Sequence, residues 1–261
     1  MNEDEARNRL ILALDVSGEI RDALSWVNRL KDHVGMFKIG KEAFTSFGPE
    51  IVRGVHEIGG KVFLDLKYHD IPNTVAMAAE TATTLGVAMF NVHALGGRKM
   101  MADAVSAAKE ASERRGRPMP LVIAVTVLTS LSDADMADMG FHEASVRYIA
   151  VHLARLAKDA GLSGVVASAQ EIEIIREACG EDFVIVTPGI RLDNSVPRDD
   201  QKRILTPKEA IQKGADFLVV GRPITTAQDP VAAADNIVRA IDAGLKSRTG
   251  DRKSYARNPK F

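Results

Sequence analysis

The stretch "FLDLKYHD", residues 63–70, places charged side chains within an apolar run that is typical of a buried strand. Asp65 and Lys67 are two residues apart, so in a strand both side chains point to the same face. Asp70 follows directly. Burying such charges costs several kcal/mol per ion unless they are well paired, which makes a purely structural role hard to justify. We therefore expect these residues to belong to a functional site.

Other candidate residues lie in or just after predicted strands. Lys38 lies within the second strand, Asp15 and His93 end the first and fourth, and the residues that follow the fifth, seventh and eighth are Thr129, Arg191, Gly221 and Arg222. Each has a plain structural alternative: Asp15 as a turn or cap residue, His93 as a satisfied core histidine, Arg222 as a surface ion pair. Gly221 and Arg222 lie in "VVGRPIT", where a glycine backbone and a forked guanidinium suit an anion. The set therefore indicates a site for a phosphorylated substrate.

Eight short apolar runs separated by helical patterns would position these residues. They lie at 10–15, 36–40, 61–66, 88–93, 121–126, 164–168, 183–187 and 216–220. Continuous apolar strands alternating with helices predict a single-domain (β/α)8 TIM barrel of the α/β class. The alternative is a doubly wound open sheet, but no G-x-G-x-x-G motif follows the first strand and no P-loop is present. In a barrel, all the polar strand ends meet on one rim.

Two long connections, 127–142 and 188–207, follow strands five and seven and are candidates for binding loops. We expect the barrel to occupy residues 1–245. The basic segment 246–261 is predicted to be a flexible tail, since it has few apolar residues.

Composition restricts the class of protein further. The 261 residues are 46% hydrophobic and have a formal net charge of −1, which gives no electrostatic case for nucleic acid or membrane binding. A single cysteine, Cys179, fits a reducing cytoplasm. No secretory signal or membrane span is visible, so we expect a cytoplasmic protein.

Seven motifs in order, "LALDV", "FKIG", "FLDLKYHDIPNT", "VHALGG", "VTVLTS", "VTPGIR" and "VVGRPIT", closely resemble the bacterial type of the orotidine 5′-phosphate decarboxylase family. The resemblance covers about residues 9–240, and the "IPNT" continuation is its most specific part. It implies decarboxylation of orotidine 5′-phosphate to uridine 5′-phosphate in pyrimidine synthesis, with no metal or organic cofactor.

The resemblance also implies residue roles. Lys67 delivers a proton to C6 of the pyrimidine, Asp65 lies near the departing carboxylate, and Lys38 holds the ribose and the charge array. Asp70 reaches the active site of the partner subunit in an obligate homodimer. The implied substrate-binding set is Asp15, Lys38, Asp65, Leu66, Lys67, Tyr68, His69, Asp70, Ile71, Pro72, Asn73, Thr74, Thr129, Arg191, Gln201, Gly221 and Arg222.

Within that set, the resemblance implies that Asp15 binds the ribose and Thr129 the pyrimidine edge. The implied phosphate-binding residues are Arg191, Gln201, Gly221 and Arg222. Gln201 is assigned through "DQKR", because the preceding "LDNSVPRD" is about one residue longer than the family pattern.

Two other functions fit parts of the pattern. A Mg²⁺-dependent sugar-phosphate enzyme on the same scaffold shares D-x-K-x-x-D, and would lose activity on chelation. A non-catalytic phosphate-binding barrel would bind ligand without turnover and tolerate Lys67→Ala.

Overall fold

A computed structural model describes residues 3–16, 18–142, 145–191 and 205–251 of the chain. Within these ranges, eight parallel strands close into a barrel in the order β1 to β8. They are β1 Leu10–Ala13, β2 Met36–Gly40, β3 Val62–Tyr68, β4 Met89–His93, β5 Leu121–Val125, β6 Gly164–Val166, β7 Val184–Pro188 and β8 Phe217–Val220. Each strand begins and ends within two residues of its predicted bounds, and the (β/α)8 barrel is confirmed.

Helices follow the strands on the outside of the barrel. They are α1 Glu3–Asn8, α2 Ile20–Leu30, α3 Lys41–Phe47, α4 Glu50–Glu57, α5 Pro72–Thr84, α6 Gly97–Arg115, α7 Asp133–Asp138, α8 Val146–Asp159, α9 Ile172–Cys179, α10 Pro207–Lys213, α11 Arg222–Thr225 and α12 Pro230–Asp251. In α2, for example, Ala23, Val27 and Leu30 are buried at the spacing of one helix face. None of the described helices is long and apolar enough to cross a membrane.

The two predicted loops and the tail differ in how much of them is described. The 127–142 connection contains the short helix α7. Residues 192–204 of the 188–207 connection lie outside the described residues. Helix α12 continues to Asp251, so the first part of the predicted tail 246–261 is helical, and the remainder lies outside the described residues.

The barrel interior changes from apolar to charged along the strands. The side chains that fill it form one cluster: Ile11, Ala13, Met36, Phe63, Met89, Ile123, Val186, Phe217 and Val219. Strand side chains alternate between faces with a period of two. The next inward positions toward the carboxyl ends of β1, β2 and β3 are therefore Asp15, Lys38 and Asp65, which places the charges at the rim predicted from sequence.

At the amino end of the barrel, Arg176 joins α9 to the segments around β7 and β8. The side chain is 5% exposed. Its guanidinium donates to five oxygens: Gly180 O at 2.9 Å, Glu181 O at 2.9 Å, Phe183 O at 2.7 Å, Gly214 O at 2.7 Å and Asp216 Oδ2 at 2.6 Å. Asp216 in turn accepts the Ile185 backbone N–H at 2.9 Å. Arg176 therefore satisfies backbone carbonyls from several turns with a single side chain.

Cys179 lies at the end of α9, on the same side of the molecule as this network. The residue is 2% exposed, and burial raises the pKa of its thiol. A buried thiol held in the protonated form is a poor nucleophile. Cys179 therefore belongs to the core and not to a reactive site.

Candidate active site

Strand β3 carries the central charges on an irregular stretch of backbone. Leu64 pairs with Phe90 and Tyr68 with Val92, so four steps along β3 span two steps along β4. Lys67 has a φ of 53°, and among the described residues it is the one non-glycine with positive φ. Such left-handed backbone is uncommon for a side chain as large as lysine. The bulge aims side chains in directions that a regular strand does not allow.

Four charges alternate in sign along the rim. Lys38 Nζ lies 3.0 Å from Asp15 Oδ1 and 3.5 Å from Asp65 Oδ2, and Lys67 Nζ lies 2.7 Å from Asp65 Oδ1. Lys38 and Asp65 are each 9% exposed. Because each buried charge has an opposite neighbour, the array is tolerable without a ligand. It also presents ammonium groups in fixed positions, which is what stabilisation of a developing negative charge requires.

Asn91 on β4 belongs to the site and was missed in the sequence. It is fully buried. Its Nδ2 donates to Asp65 Oδ1 at 2.6 Å, and its Oδ1 accepts the Lys67 backbone N–H at 2.8 Å. The signal that could have found it is its position in "FNVH", where a lone amide interrupts an apolar strand two residues before His93.

The array opens into a cavity of about 570 Å³. Eight of the residues predicted from sequence line it: Asp15, Lys38, Asp65, Lys67, Thr129, Arg191, Gly221 and Arg222. Glu42 and Thr225 also line the cavity and were not predicted. The volume is in the range of small-molecule sites. Lysines, carboxylates and two arginines thus face one cavity.

The other predicted residues that the structure describes do not line this cavity. Leu66 and Tyr68 pack against the outer core, and burial raises the pKa of Tyr68 to about 12. Asp70 is exposed, and its Oδ1 accepts the backbone N–H of Ile71 at 2.6 Å. The remainder, His69, Ile71, Pro72, Asn73 and Thr74, lie between the end of β3 and the first turn of α5. Gln201 lies outside the described residues.

His93, at the end of β4, stacks on His69 with ring centroids 5.3 Å apart. Burial, then the neighbouring His69, Lys67 and Lys41, lowers the pKa of His93 to about 4. The ring is therefore neutral at physiological pH, and its Nδ1 can accept the Leu95 backbone N–H at 3.4 Å. His93 does not line the cavity, in agreement with the structural alternative considered from sequence.

Among the residues that the structure describes, no three His, Cys, Asp or Glu side chains are grouped closely enough to hold a metal ion.

The closed barrel carries an ion-paired lysine and aspartate array at its carboxyl rim, which is where (β/α)8-barrel enzymes have their active sites. The profile of the family described as "Orotidine 5′-phosphate decarboxylase / HUMPS family" matches residues 8–237. The chain belongs to this family, and its reaction class is that of a decarboxylase.

Individual relatives align with this chain over nearly its whole length. The orotidine 5′-phosphate decarboxylase of Syntrophus aciditrophicus is 59% identical, covering 95% of this chain and 98% of its own. The protein of the same name from Geotalea daltonii is 52% identical over 94% of this chain and 100% of its own. A crystal structure of orotidine 5′-phosphate decarboxylase from Lactobacillus acidophilus superimposes with a TM-score of 0.79 at 36% identity, covering 90% and 99% of the two chains.

Proposed function

We propose that this protein decarboxylates orotidine 5′-phosphate to uridine 5′-phosphate, the last step of pyrimidine nucleotide synthesis. The observation that carries the proposal is the Lys67 ammonium, held 2.7 Å from Asp65 at the wall of the cavity. The names of the relatives that align over nearly the full chain support the same substrate.

The reaction breaks the bond between C6 of the pyrimidine and its carboxylate. CO₂ leaves, and the bonding electron pair stays on C6 as a carbanion that the ring stabilises little by resonance. A cation fixed beside C6 stabilises that carbanion more than it stabilises the bound substrate, which is differential binding of the transition state. Lys67 Nζ then gives a proton to C6 and regains one from solvent. Asp65 lies near the departing carboxylate and holds the Lys67 ammonium in place.

The other cavity residues suit the rest of the nucleotide. The guanidinium groups of Arg222 and Arg191 can each donate two hydrogen bonds to the phosphate. Gly221, which has no side chain, lets the backbone approach the phosphate closely. In barrels of this type, phosphate commonly binds at the loops after strands seven and eight. In this proposal Gln201 also contacts the phosphate, Thr129 the pyrimidine edge, and Asp15 with Lys38 the ribose.

We further propose that the active enzyme is a homodimer in which Asp70 completes the site of the partner subunit. Asp70 is exposed and does not line the cavity of its own chain. Next to it, Ile71 is 66% exposed and Met77, on α5, is 56% exposed. Exposed apolar side chains of this kind are typical of a surface that another protein covers. Here they lie beside Asp70, a carboxylate outside the cavity of its own subunit, so the covering protein would be a second copy of the chain. The lone cysteine supports a cytoplasmic location.

The reaction is tested by following the ultraviolet absorbance of orotidine 5′-phosphate with purified protein, with and without EDTA. We expect loss of the orotate absorbance at a rate that chelation does not change. Turnover abolished by EDTA would favour the Mg²⁺-dependent sugar-phosphate enzyme. Binding without turnover would favour the non-catalytic barrel.

The shared site is tested by mixing two inactive variants, Asp70→Ala and Lys67→Ala. A mixed dimer contains one site with both wild-type residues, so we expect part of the activity to return after subunit exchange. If exchange is demonstrated by differently tagged subunits and no activity returns, Asp70 does not act across the interface.

A further inference from the structure

The backbone of Lys67 adopts a conformation that a regular strand does not have. Lys67 lies in the β3 bulge, outside the paired register with β2 and β4, and its φ of 53° is strained for a non-glycine residue. Conformations of this kind are unfavourable and persist only where the surroundings fix them. Here the amide donates to Asn91 Oδ1 at 2.8 Å, from a side chain that is fully buried.

The same Asn91 side chain fixes the counterion of Lys67. Asp65 Oδ1 accepts from Lys67 Nζ at 2.7 Å and from Asn91 Nδ2 at 2.6 Å. With Oδ2 toward Lys38 Nζ at 3.5 Å, the Asp65 carboxylate is held from three directions. One planar amide therefore contacts both ends of the Lys67 residue, its backbone directly and its ammonium through Asp65.

We propose that Asn91 is a positioning residue for decarboxylation, which holds the Lys67 ammonium at the reacting carbon by bonding the Lys67 backbone and the Asp65 carboxylate together. It does not line the cavity, so it acts through its two neighbours and not on the substrate. The role needs one donor and one acceptor on the same rigid group, which asparagine supplies. The inference rests on the proposed function for its substrate.

The decisive variant is Asn91→Asp, because it keeps the shape and the acceptor for Lys67 N–H but loses the donor. The introduced carboxyl group would contact Asp65 and the Lys67 backbone, with Lys38 on the other oxygen of Asp65 and His93 two residues further along β4. When protonated it can donate to Asp65, as the amide does. When ionised it repels Asp65 at hydrogen-bonding distance.

We therefore expect the kcat of Asn91→Asp to be highest at acid pH and to fall with rising pH through an ionisation that the wild type lacks. At neutral pH, kcat should be roughly 100-fold lower than wild type, the usual effect of misplacing a reacting group by about 1 Å. KM should change little, because the residues that bind the phosphate are unchanged. A role in stability alone predicts no new ionisation in kcat.

Asn91→Ala and Thr187→Val complete the test. Asn91→Ala removes both bonds, so we expect low kcat at every pH. Thr187 is a fully buried strand residue whose hydroxyl has no hydrogen-bond partner within the described part of the chain, so Thr187→Val controls for loss of a buried polar group and should keep wild-type kcat.

A kcat profile of Asn91→Asp that parallels the wild type would overturn the inference. So would failure of both Asn91 variants to fold while Thr187→Val folds, since Asn91 would then serve core stability. A wild-type protein that does not turn over orotidine 5′-phosphate overturns the proposed function instead, and the inference with it.

Discussion

Arg176 gives the sharpest prediction for stability, because its guanidinium makes five hydrogen bonds in a nearly dry environment. Arg176→Met keeps the apolar stem but leaves four backbone carbonyls and the Asp216 carboxylate without this donor. Hydrogen bonds to charged groups contribute about 1.5–3 kcal/mol each, but such contributions are not additive within one network. Removing one partner of a buried ion pair costs about 3–5 kcal/mol, and we expect a loss of that size in the free energy of unfolding.

The loss can be measured by urea unfolding followed by circular dichroism, beside thermal melts. For a chain of this size, Tm should fall by on the order of 10 °C. Arg114→Met is a matched control, because Arg114 is 55% exposed and, among the ion pairs of the described residues, makes only the surface pair with Glu80. Its cost should be at most about 1 kcal/mol.

Since Arg176 lies at the amino end of the barrel, kcat of Arg176→Met should equal the wild-type value at temperatures where the variant is folded. An unfolding free energy within error of the Arg114→Met control would refute the idea that this network holds the barrel together.

Two further predictions concern the rim. A Cβ on Gly40 would lie 3.0 Å from Lys38 Nζ and 3.4 Å from Asp15 Oδ1. Gly40→Ala should therefore displace the Lys38 ammonium and lower kcat roughly tenfold. An unchanged kcat would show that catalysis tolerates this displacement. His93 has a pKa of about 4 in the folded protein against 6.5 ordinarily, so the unfolded chain binds more protons between these values and stability is lost as pH falls through that window. Between pH 7 and pH 5 the free energy of unfolding of the wild type should fall by about 1 kcal/mol more than that of His93→Asn, after allowing for solvent screening of the partly exposed ring. Equal falls for the two proteins in urea unfolding would contradict the lowered pKa of His93.

The sequence predicts the barrel well because parallel strands buried on both sides leave a strong apolar signal between helical patterns. It also predicts which charges meet, since Lys38 and Asp65 lie within β2 and β3, Asp15 and Arg222 follow β1 and β8, and the carboxyl halves of these strands share one rim. Regular alternation was sufficient to place Asp65 and Lys67 on one face.

Alternation could not predict the bulge in β3. The period-two rule assumes an even pleat, whereas Lys67 adopts positive φ and its strand gains residues relative to β4. Asn91 was missed for a related reason. Its importance comes from two contacts with β3. An amide within an apolar strand marks the position as unusual, but the sequence does not show which groups it contacts. Glu42 faces the cavity from α3, where it resembles any charged residue in the first turn of a helix.

The central claim, that Lys67 provides the cation and proton for decarboxylation, is tested most directly by Lys67→Ala with orotidine 5′-phosphate in the presence of EDTA. Lys99→Ala is the matched control, since Lys99 is 77% exposed and pairs only with Asp103 on α6 among the described ion pairs. We expect the control to keep wild-type kcat and Lys67→Ala to lose at least about 10³-fold, toward the upper range for a general acid. If Lys67→Ala, folded as judged by circular dichroism, still turned over at a rate close to that of Lys99→Ala, the charge array would not be the source of catalysis.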